Sequence, residues 1–257
     1  MRGRSIPLAP MRRLVVDLVH FGVPSVPVER RMSLGTLVAL RAACPERPAW
    51  TAIFAKAFAI VARDVPALRR AYVKLPVPRL YEYPCSVVSV AIEREYAGET
   101  GLMFCRIPRP DTMPLLELSD RIRSAASQPV GEVSSFRRAM WVSRLPLPIR
   151  RAIWWLGLNI GRLRGNYFGT FGVSVYSSLG AESLHPISPL TTVLNYGAIA
   201  PDGSVTVRAI YDHRVMDGTA VALALRRLEE TLNAAIADEL RTLAPPQEAR
   251  LSSAGRK

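Results

Sequence analysis

Between residues 205 and 232 the chain reads VTVRAIYDHRVMDGTAVALALRRLEETL, and its apolar period changes once on the way. Val205, Val207, Ala209 and Tyr211 alternate with Thr206, Arg208, Ile210 and Asp212, the period of a strand with two distinct faces. Val221, Leu225, Leu228 and Leu232 then recur at helical spacing. Only D-H-R-V-M-D-G separates the two patterns, so a strand must become a helix across one tight junction. The junction carries His213, Arg214, Gly218 and two carboxylates, Asp212 and Asp217. A sheet fixes the backbone at a strand end while the loop keeps the side chains accessible, which is where scaffolds present reactive groups. His213 is the one histidine at such a strand end and is therefore the candidate base.

At 257 residues, 49% of them apolar, the chain can bury a sizeable core and is no disordered tail. Cys44, Cys85 and Cys105 are widely spaced with no C-x-x-C, which argues against a disulfide framework or a zinc site and suits a reducing compartment. No metal is expected. The basic opening MRGRSIPLAPMRR leads into no apolar signal core, and no apolar run is long enough to span a bilayer. The location expected is cytoplasmic. Net charge is +13, carried almost wholly by arginine; the lysines are Lys56, Lys74 and Lys257. Scattered arginine pairs such as Arg137-Arg138 and Arg150-Arg151 usually mean solvated faces. The functional readings are a phosphate-rich ligand or an anionic membrane surface. No zinc finger, RNA-binding aromatic motif or basic zipper is present, so nucleic acid is not the expected partner.

Taken in order, residues 11–21 read as an amphipathic helix that includes His20, and PSVPVERRM follows as a strand. Ser33 is placed to cap a short helix over 34–43. The stretch AWTAIFAKAFAIVAR after Pro48 is apolar nearly all round, a central buried helix from which Lys56 is expected to snorkel to the edge. Residues 71–107 turn to strand patterns, and 114–126 return to helix. Over 148–164 (PIRRAIWWLGLNIGRLR), Ile149, Ala152, Ile153, Leu156 and Ile160 make an apolar face widened by Trp154 and Trp155 and flanked by arginines. Core packing is the reading preferred here; the alternative is a helix lying in a membrane interface. Strands are expected over 169–180 and 188–200, with a turn at 201–203.

The junction D-H-R-V-M-D-G resembles the H-R-x-x-D-G signature of dihydrolipoamide acyltransferases, the catalytic component of 2-oxo-acid dehydrogenase complexes; chloramphenicol acetyltransferase shares the looser H-x-x-x-D-G. IPLAPMRRLVVD (6–17) is similar to the family's opening segment, and VPVERRMSLGTLVALR (26–41) to its first strand and helix. TAIFAKAFAIVARDVPALRRAYV (51–73) resembles the long helix ending in P-x-L-N, with arginine in place of the asparagine. GTFGVSVYSSLG resembles the G-T-F-T-I-S-N-L-G strand. The resemblance covers most of 6–240 and thins between 95 and 165, where the tryptophan pair stands. Aligned on G-T-F, the family's serine falls on Ser174; aligned on S-L-G, it falls on Ser177. The distance to N-Y-G-A (195–198) favours Ser174.

Acyl transfer needs a base to deprotonate the acceptor, and an imidazole (pKa ~6.5) suits a thiol (pKa ~8.5) near neutral pH. The resemblance gives that role to His213 and gives Ser174 the hydrogen bond to the oxyanion. No covalent enzyme intermediate is required, and no G-x-S-x-G elbow is present. Asp217 reads as structural, its carboxylate able to cap the following helix, with Gly218 easing the turn and Arg214 orienting the loop or pairing with a carboxylate.

The resemblance further implies an α+β fold of the chloramphenicol acetyltransferase type, a mixed sheet flanked by helices. It implies one catalytic domain over 1–243, with a polar tail over 244–257, assembled as a homotrimer. The active sites would lie between subunits, taking histidine and serine from different chains, and coenzyme A would enter there with some of the arginines on its phosphates. No lysine sits in a D-K-A hairpin, so this chain bears no lipoyl lysine, and the expectation is a stand-alone enzyme. The acceptor expected is a small thiol, hydroxyl or amine, or a lipoyl domain on another chain. The alternatives are a peripheral membrane acyltransferase docked through 148–164 and a non-catalytic trimeric scaffold.

Overall fold

The structure is a computed structural model that describes residues 3–6, 25–96, 98–175, 184–186 and 188–244. The expected helix over 11–21, His20, Ser177 and all of the polar tail after Ala244 lie outside the described residues.

Two sheets organise the chain. A small one has the order β1 (Arg4–Ile6), β4 (Arg79–Glu82), β3 (Arg70–Val73), all antiparallel. The large one runs β2 (Ser25–Ser33), β9 (Ser204–Asp212), β8 (Thr192–Tyr196), β7 (Phe171–Val173), β5 (Val87–Tyr96), β6 (Glu99–Pro108). In it β7 is parallel to both β5 and β8, and the other pairs are antiparallel, so the sheet is mixed. Of the expected strand over 169–180 the described residues 169–175 hold Phe171–Val173, with 176–180 outside the described residues, and the expected strand over 188–200 is shortened to Thr192–Tyr196. Gly169 and Thr170 anchor the start of β7, and Pro189 and Gly197 bracket β8, since proline cannot donate to a ladder.

The sheet's faces differ in chemistry. Val88, Val90, Phe171, Val173, Leu194, Tyr196, Val207 and Ala209 point into the main core. Against them packs α2 (Trp50–Asp64), apolar all round as its sequence requires, with Phe54 stacked on Tyr196 at 4.1 Å and Phe58 against Phe171 at 4.7 Å. Beside α2 lie α1 (Gly35–Ala43), α3 (Leu115–Ser127), α7 (Gly218–Thr231), a π turn (Leu232–Ile236) and α8 (Ala237–Leu243). Burial raises Tyr196 to about 12, with its hydroxyl 3.2 Å from that of Thr51. The opposite face is mixed yet buried: Ser89, Ser174, Asn195, Arg208 and Asp212 lie on it beside Val193 and Ile210. A sheet with polar groups on its second face buries them only by pairing them.

Three expectations change. Lys56 does not snorkel: it is 8% exposed and ion-paired with Glu239 of α8, so its charge is met inside the fold. Ser33 does not cap α1, whose N-cap is Leu34; it stays in β2 and its N–H donates to Glu229 Oε1 at 2.9 Å. The apolar face expected over 148–164 does not pack into the core, although the segment's end at Gly161 and Arg164 is buried. The segment forms α5 (Leu147–Asn159) and α6 (Gly161–Tyr167), and the only buried residue of α5 is Gly157. The connection before it carries α4 (Ser134–Ser143). No helix among the described residues is long and apolar enough to cross a membrane.

Glu239 accepts both the Lys56 ion pair and the N–H of Leu115. Replacing Glu239 with alanine strands a buried ammonium and should cost about 3 kcal/mol in urea denaturation. The double variant Lys56→Met/Glu239→Gln, which keeps an acceptor for Leu115, should cost less than the single one.

Candidate functional site

The junction that the sequence marks out is held by its first carboxylate. Asp212 ends β9, buried, with its N–H on the Thr191 carbonyl at 2.8 Å. Its carboxylate accepts the N–H of Arg214 at 3.0 Å and both arms of the same arginine's guanidinium, Nε at 2.9 Å and Nη2 at 2.7 Å. Its carbonyl takes the N–H of Val215 at 2.9 Å. The loop is thus an Asx turn closed by a bidentate fork. Arg214 also lies over the ring of Tyr72, 4.7 Å from its centroid. Burial pulls the Arg214 pKa down, but the hydrogen bonds and charge of Asp212 more than offset it, and the balance is upward.

Val215 and Met216 plug into the core, so the loop cannot swing without exposing both. Between these anchors His213 is presented with its side chain 35% exposed, its ring 5.7 Å from that of Tyr211. Asp217 stands at the N-cap position of α7 with extended backbone, φ −105° and ψ 162°, but its carboxylate makes no cap hydrogen bond. It turns instead to the imidazole, with Oδ1 3.5 Å from His213 Nδ1. A Cβ on Gly218 would lie 3.3 Å from the Tyr211 hydroxyl, so glycine lets α7 start close over that ring.

Ser174 belongs to a different part of the sheet. Gly169 (φ +95°) brings β7 to β5 so closely that a Cβ there would lie 2.9 Å from the Val87 carbonyl, and Thr170 Oγ1 accepts the Val87 N–H at 2.9 Å. These two residues explain the G-T of the G-T-F motif. Ser174 follows β7 directly, its N–H on the Leu194 carbonyl at 3.1 Å and its own carbonyl accepting Asn195 Nδ2 at 2.8 Å. Asn195 pairs with Arg208 across β8 and β9, and Arg208 is forked onto Glu29 of β2 at 2.6 and 3.0 Å. In register Ser174 therefore stands level with Arg208, five residues before His213. At a strand rise of about 3.3 Å per residue the two lie roughly 16 Å apart along the strands. One chain does not bring His213 and Ser174 together.

A hollow of about 470 Å³ opens beside the histidine loop, lined by Ser25, His185, Pro189, Val193, Asp212 and Arg214 among others. Ser25 Oγ and His185 Nε2 are 2.8 Å apart on its wall. Behind it Arg164 of α6 is buried, donating Nη1 to the Tyr72 carbonyl at 2.7 Å and Nη2 to the Pro189 carbonyl at 2.5 Å. Burial lowers its pKa, partly offset by the charges of Tyr83 and Asp212. Sequence reasoning expected Arg214 to orient the loop or pair with a carboxylate, and it does pair with Asp212, but it gave Asp212 itself no role and missed Arg164. For Asp212 the signal was available, because an Asx residue two positions before a loop N–H is a turn former. Arg164 carries no such signal among so many arginines. Among the described residues no group of three or more His, Cys, Asp or Glu side chains is placed to hold a metal.

No protein-family model and no curated protein matches the chain. Solved structures do. A probable dihydrolipoamide acetyltransferase from Listeria monocytogenes aligns with a TM-score of 0.56 at 17% identity, over 89% of this chain and 94% of that one. The dihydrolipoamide acetyltransferase of Azotobacter vinelandii aligns at 0.58 and 18%, over 92% and 93%. A chloramphenicol acetyltransferase aligns at 0.55 and 14%, over 89% and 100%. The chain therefore has the chloramphenicol acetyltransferase-like fold, a single α+β domain with its mixed sheet flanked by helices, and its structure resembles the catalytic cores of dihydrolipoamide acetyltransferases.

Asp212→Ala removes the carboxylate that accepts three hydrogen bonds from Arg214. It should lower stability by about 3 kcal/mol, read from the chemical denaturation midpoint. Arg214→Lys keeps the charge but not the fork, and should cost about 1 kcal/mol.

Proposed function

We propose that the protein is a CoA-dependent acyltransferase in which His213 is the general base. It would move an acyl group between a CoA thioester and a thiol, hydroxyl or amine. The observation that carries this is the loop geometry: a histidine held at a strand end by the Asp212–Arg214 fork and two buried plugs, with a carboxylate on its Nδ1 side. Asp217 favours the tautomer protonated on Nδ1, leaving the Nε2 lone pair for the acceptor. In the Azotobacter vinelandii enzyme a serine, a histidine and an asparagine four positions after the histidine were investigated for their roles in the catalytic mechanism; the same spacing separates His213 from Asp217.

In the reaction, Nε2 takes the acceptor's proton as the acceptor attacks the thioester carbonyl. The oxyanion of the tetrahedral intermediate accepts a hydrogen bond from a fixed hydroxyl. Collapse breaks the C–S bond, and the imidazolium returns its proton to the departing CoA sulfur. No enzyme atom is acylated. Ser174 is the hydroxyl on this reading, with Ser177 as the alternative. The roughly 16 Å between Ser174 and His213 within one chain supports a site shared by two subunits of a homotrimer, His213 from one and Ser174 from its neighbour. Solved structures of the same fold include the cubic core of a pyruvate dehydrogenase multienzyme complex. The acceptor is open to a small molecule or to a lipoyl domain on another chain.

The test is CoA release from acyl-CoA, followed with a thiol reagent over a panel of small thiols, alcohols, amines and dihydrolipoamide. His213→Ala should lose about three orders of magnitude in kcat with unchanged fold; an unaltered rate would remove His213 as the base, and no transfer by the wild type across the panel would favour a non-catalytic scaffold. Ser174→Ala should lose about a hundredfold. Refolding the two inactive variants together should restore part of the activity, because mixed trimers contain interfaces with both groups intact. No restoration would sink the shared arrangement.

A further inference from the structure

The periodicity of α5 groups Ile149, Ala152, Ile153 and Leu156 on one face, and that face points outward. Ile149 is 50% exposed, Trp155 51%, and Trp154 46% although its ring touches that of Phe168 at 5.1 Å. Trp141 of α4 is more open still. Three of the chain's four tryptophans therefore stand at the surface on one pair of consecutive helices. Exposed apolar clusters of this kind mark an interaction site.

The helix is presented rather than loose. At Gly157 a Cβ would lie 3.0 Å from the Phe168 ring, and at Gly161 one would overlap the ring of Tyr81. The Asn159 carbonyl takes the N–H of Leu75 at 3.1 Å, and the Gly161 carbonyl takes the Tyr83 hydroxyl at 3.0 Å. One end of α5 is fastened while its apolar face is held away from the body.

Charge identifies the occupant. No acidic residue occurs between Glu132 and Glu182, whereas that stretch contains seven arginines. Arg137, Arg138, Arg144, Arg151 and Arg162 are exposed, and Arg150 is half-buried. A cationic, tryptophan-bearing apolar face is self-repelling towards its own copy and complementary to anionic lipid headgroups, with indoles at headgroup level and guanidiniums on phosphate. We infer that α4 and α5 form a docking surface for an anionic lipid bilayer, on which the protein sits peripherally. None of its residues lines the hollow beside the histidine loop, and the inference holds whether or not the chain transfers acyl groups.

The experiment is flotation of the full chain with phosphatidylcholine vesicles, with and without phosphatidylglycerol. Binding to the anionic vesicles that falls with added salt, accompanied by a blue shift of tryptophan emission, is the expected result. Ile153→Ala/Trp155→Ala should weaken it by about tenfold. Ile149→Ser, at a side chain turned to solvent, serves as a second variant, and circular dichroism confirms that each keeps its fold. Absence of binding to anionic vesicles, or binding that neither variant weakens, overturns the proposal. So does a wild-type oligomer that dissociates in the variants without binding vesicles, because the face would then be a contact between copies.

Discussion

One carboxylate, that of Asp212, accepts three hydrogen bonds from a single residue, and the catalytic reading depends on that clamp. Without it the backbone after β9 would have several ways to reach α7, and His213 would sample them all. With it Arg214 is spent inward, against Asp212 and the Tyr72 ring, and cannot itself serve as an exposed cation. The clamp also ties layers together: Tyr72 belongs to the small sheet, Asp212 to the large one, and Arg164 reaches the Tyr72 carbonyl from α6. A disturbance at any of these would be felt at the imidazole, because side chains packed this densely move together.

The mixed face of the sheet follows a related logic. Its buried polar groups meet partners across strands: Asn195 on the Ser174 carbonyl, and Arg208 on Glu29. Each bond is modest in net terms, but an unmet buried polar group is costly, so the set holds β2, β9, β8 and the end of β7 in a unique register. Register is what places Ser174 at one end of the strands and His213 at the other. Distance between the two candidate groups is thus a property of strand pairing rather than of either loop.

The sequence made some of this legible and not the rest. The strand-to-helix switch at 205–232 was readable because two periods meet across one short loop, and α2 because fifteen residues are apolar nearly all round. Periodicity also grouped Ile149, Ala152, Ile153 and Leu156 correctly on a face, yet gave no direction for that face. Inward or outward depends on Gly157 meeting Phe168, a tertiary contact. Lys56 was misread for a similar reason: its partner Glu239 comes from α8, near the other end of the chain, and no local pattern points to it. Ser33 offered good capping chemistry, but β2 extended through it and Glu229 claimed its N–H. The separation of Ser174 from His213 required the order β9-β8-β7, which sequence spacing does not contain.

The fastening of α5 at one end has a consequence for how the fold opens. Gly157 is the only fully buried residue of this helix, and the apolar side chains of its first two turns are already about half exposed, so unravelling them would expose less new apolar surface than opening a core helix. Beyond Asn159, by contrast, opening would break the bonds to Leu75, Tyr83 and Tyr72 and drag Arg164 out of the interior. Local unfolding free energy therefore rises along a single stretch of chain, from its lower end at Leu147 toward the global value at Arg164. Amide exchange would trace that slope residue by residue, fast over the tryptophans and slow where α6 begins.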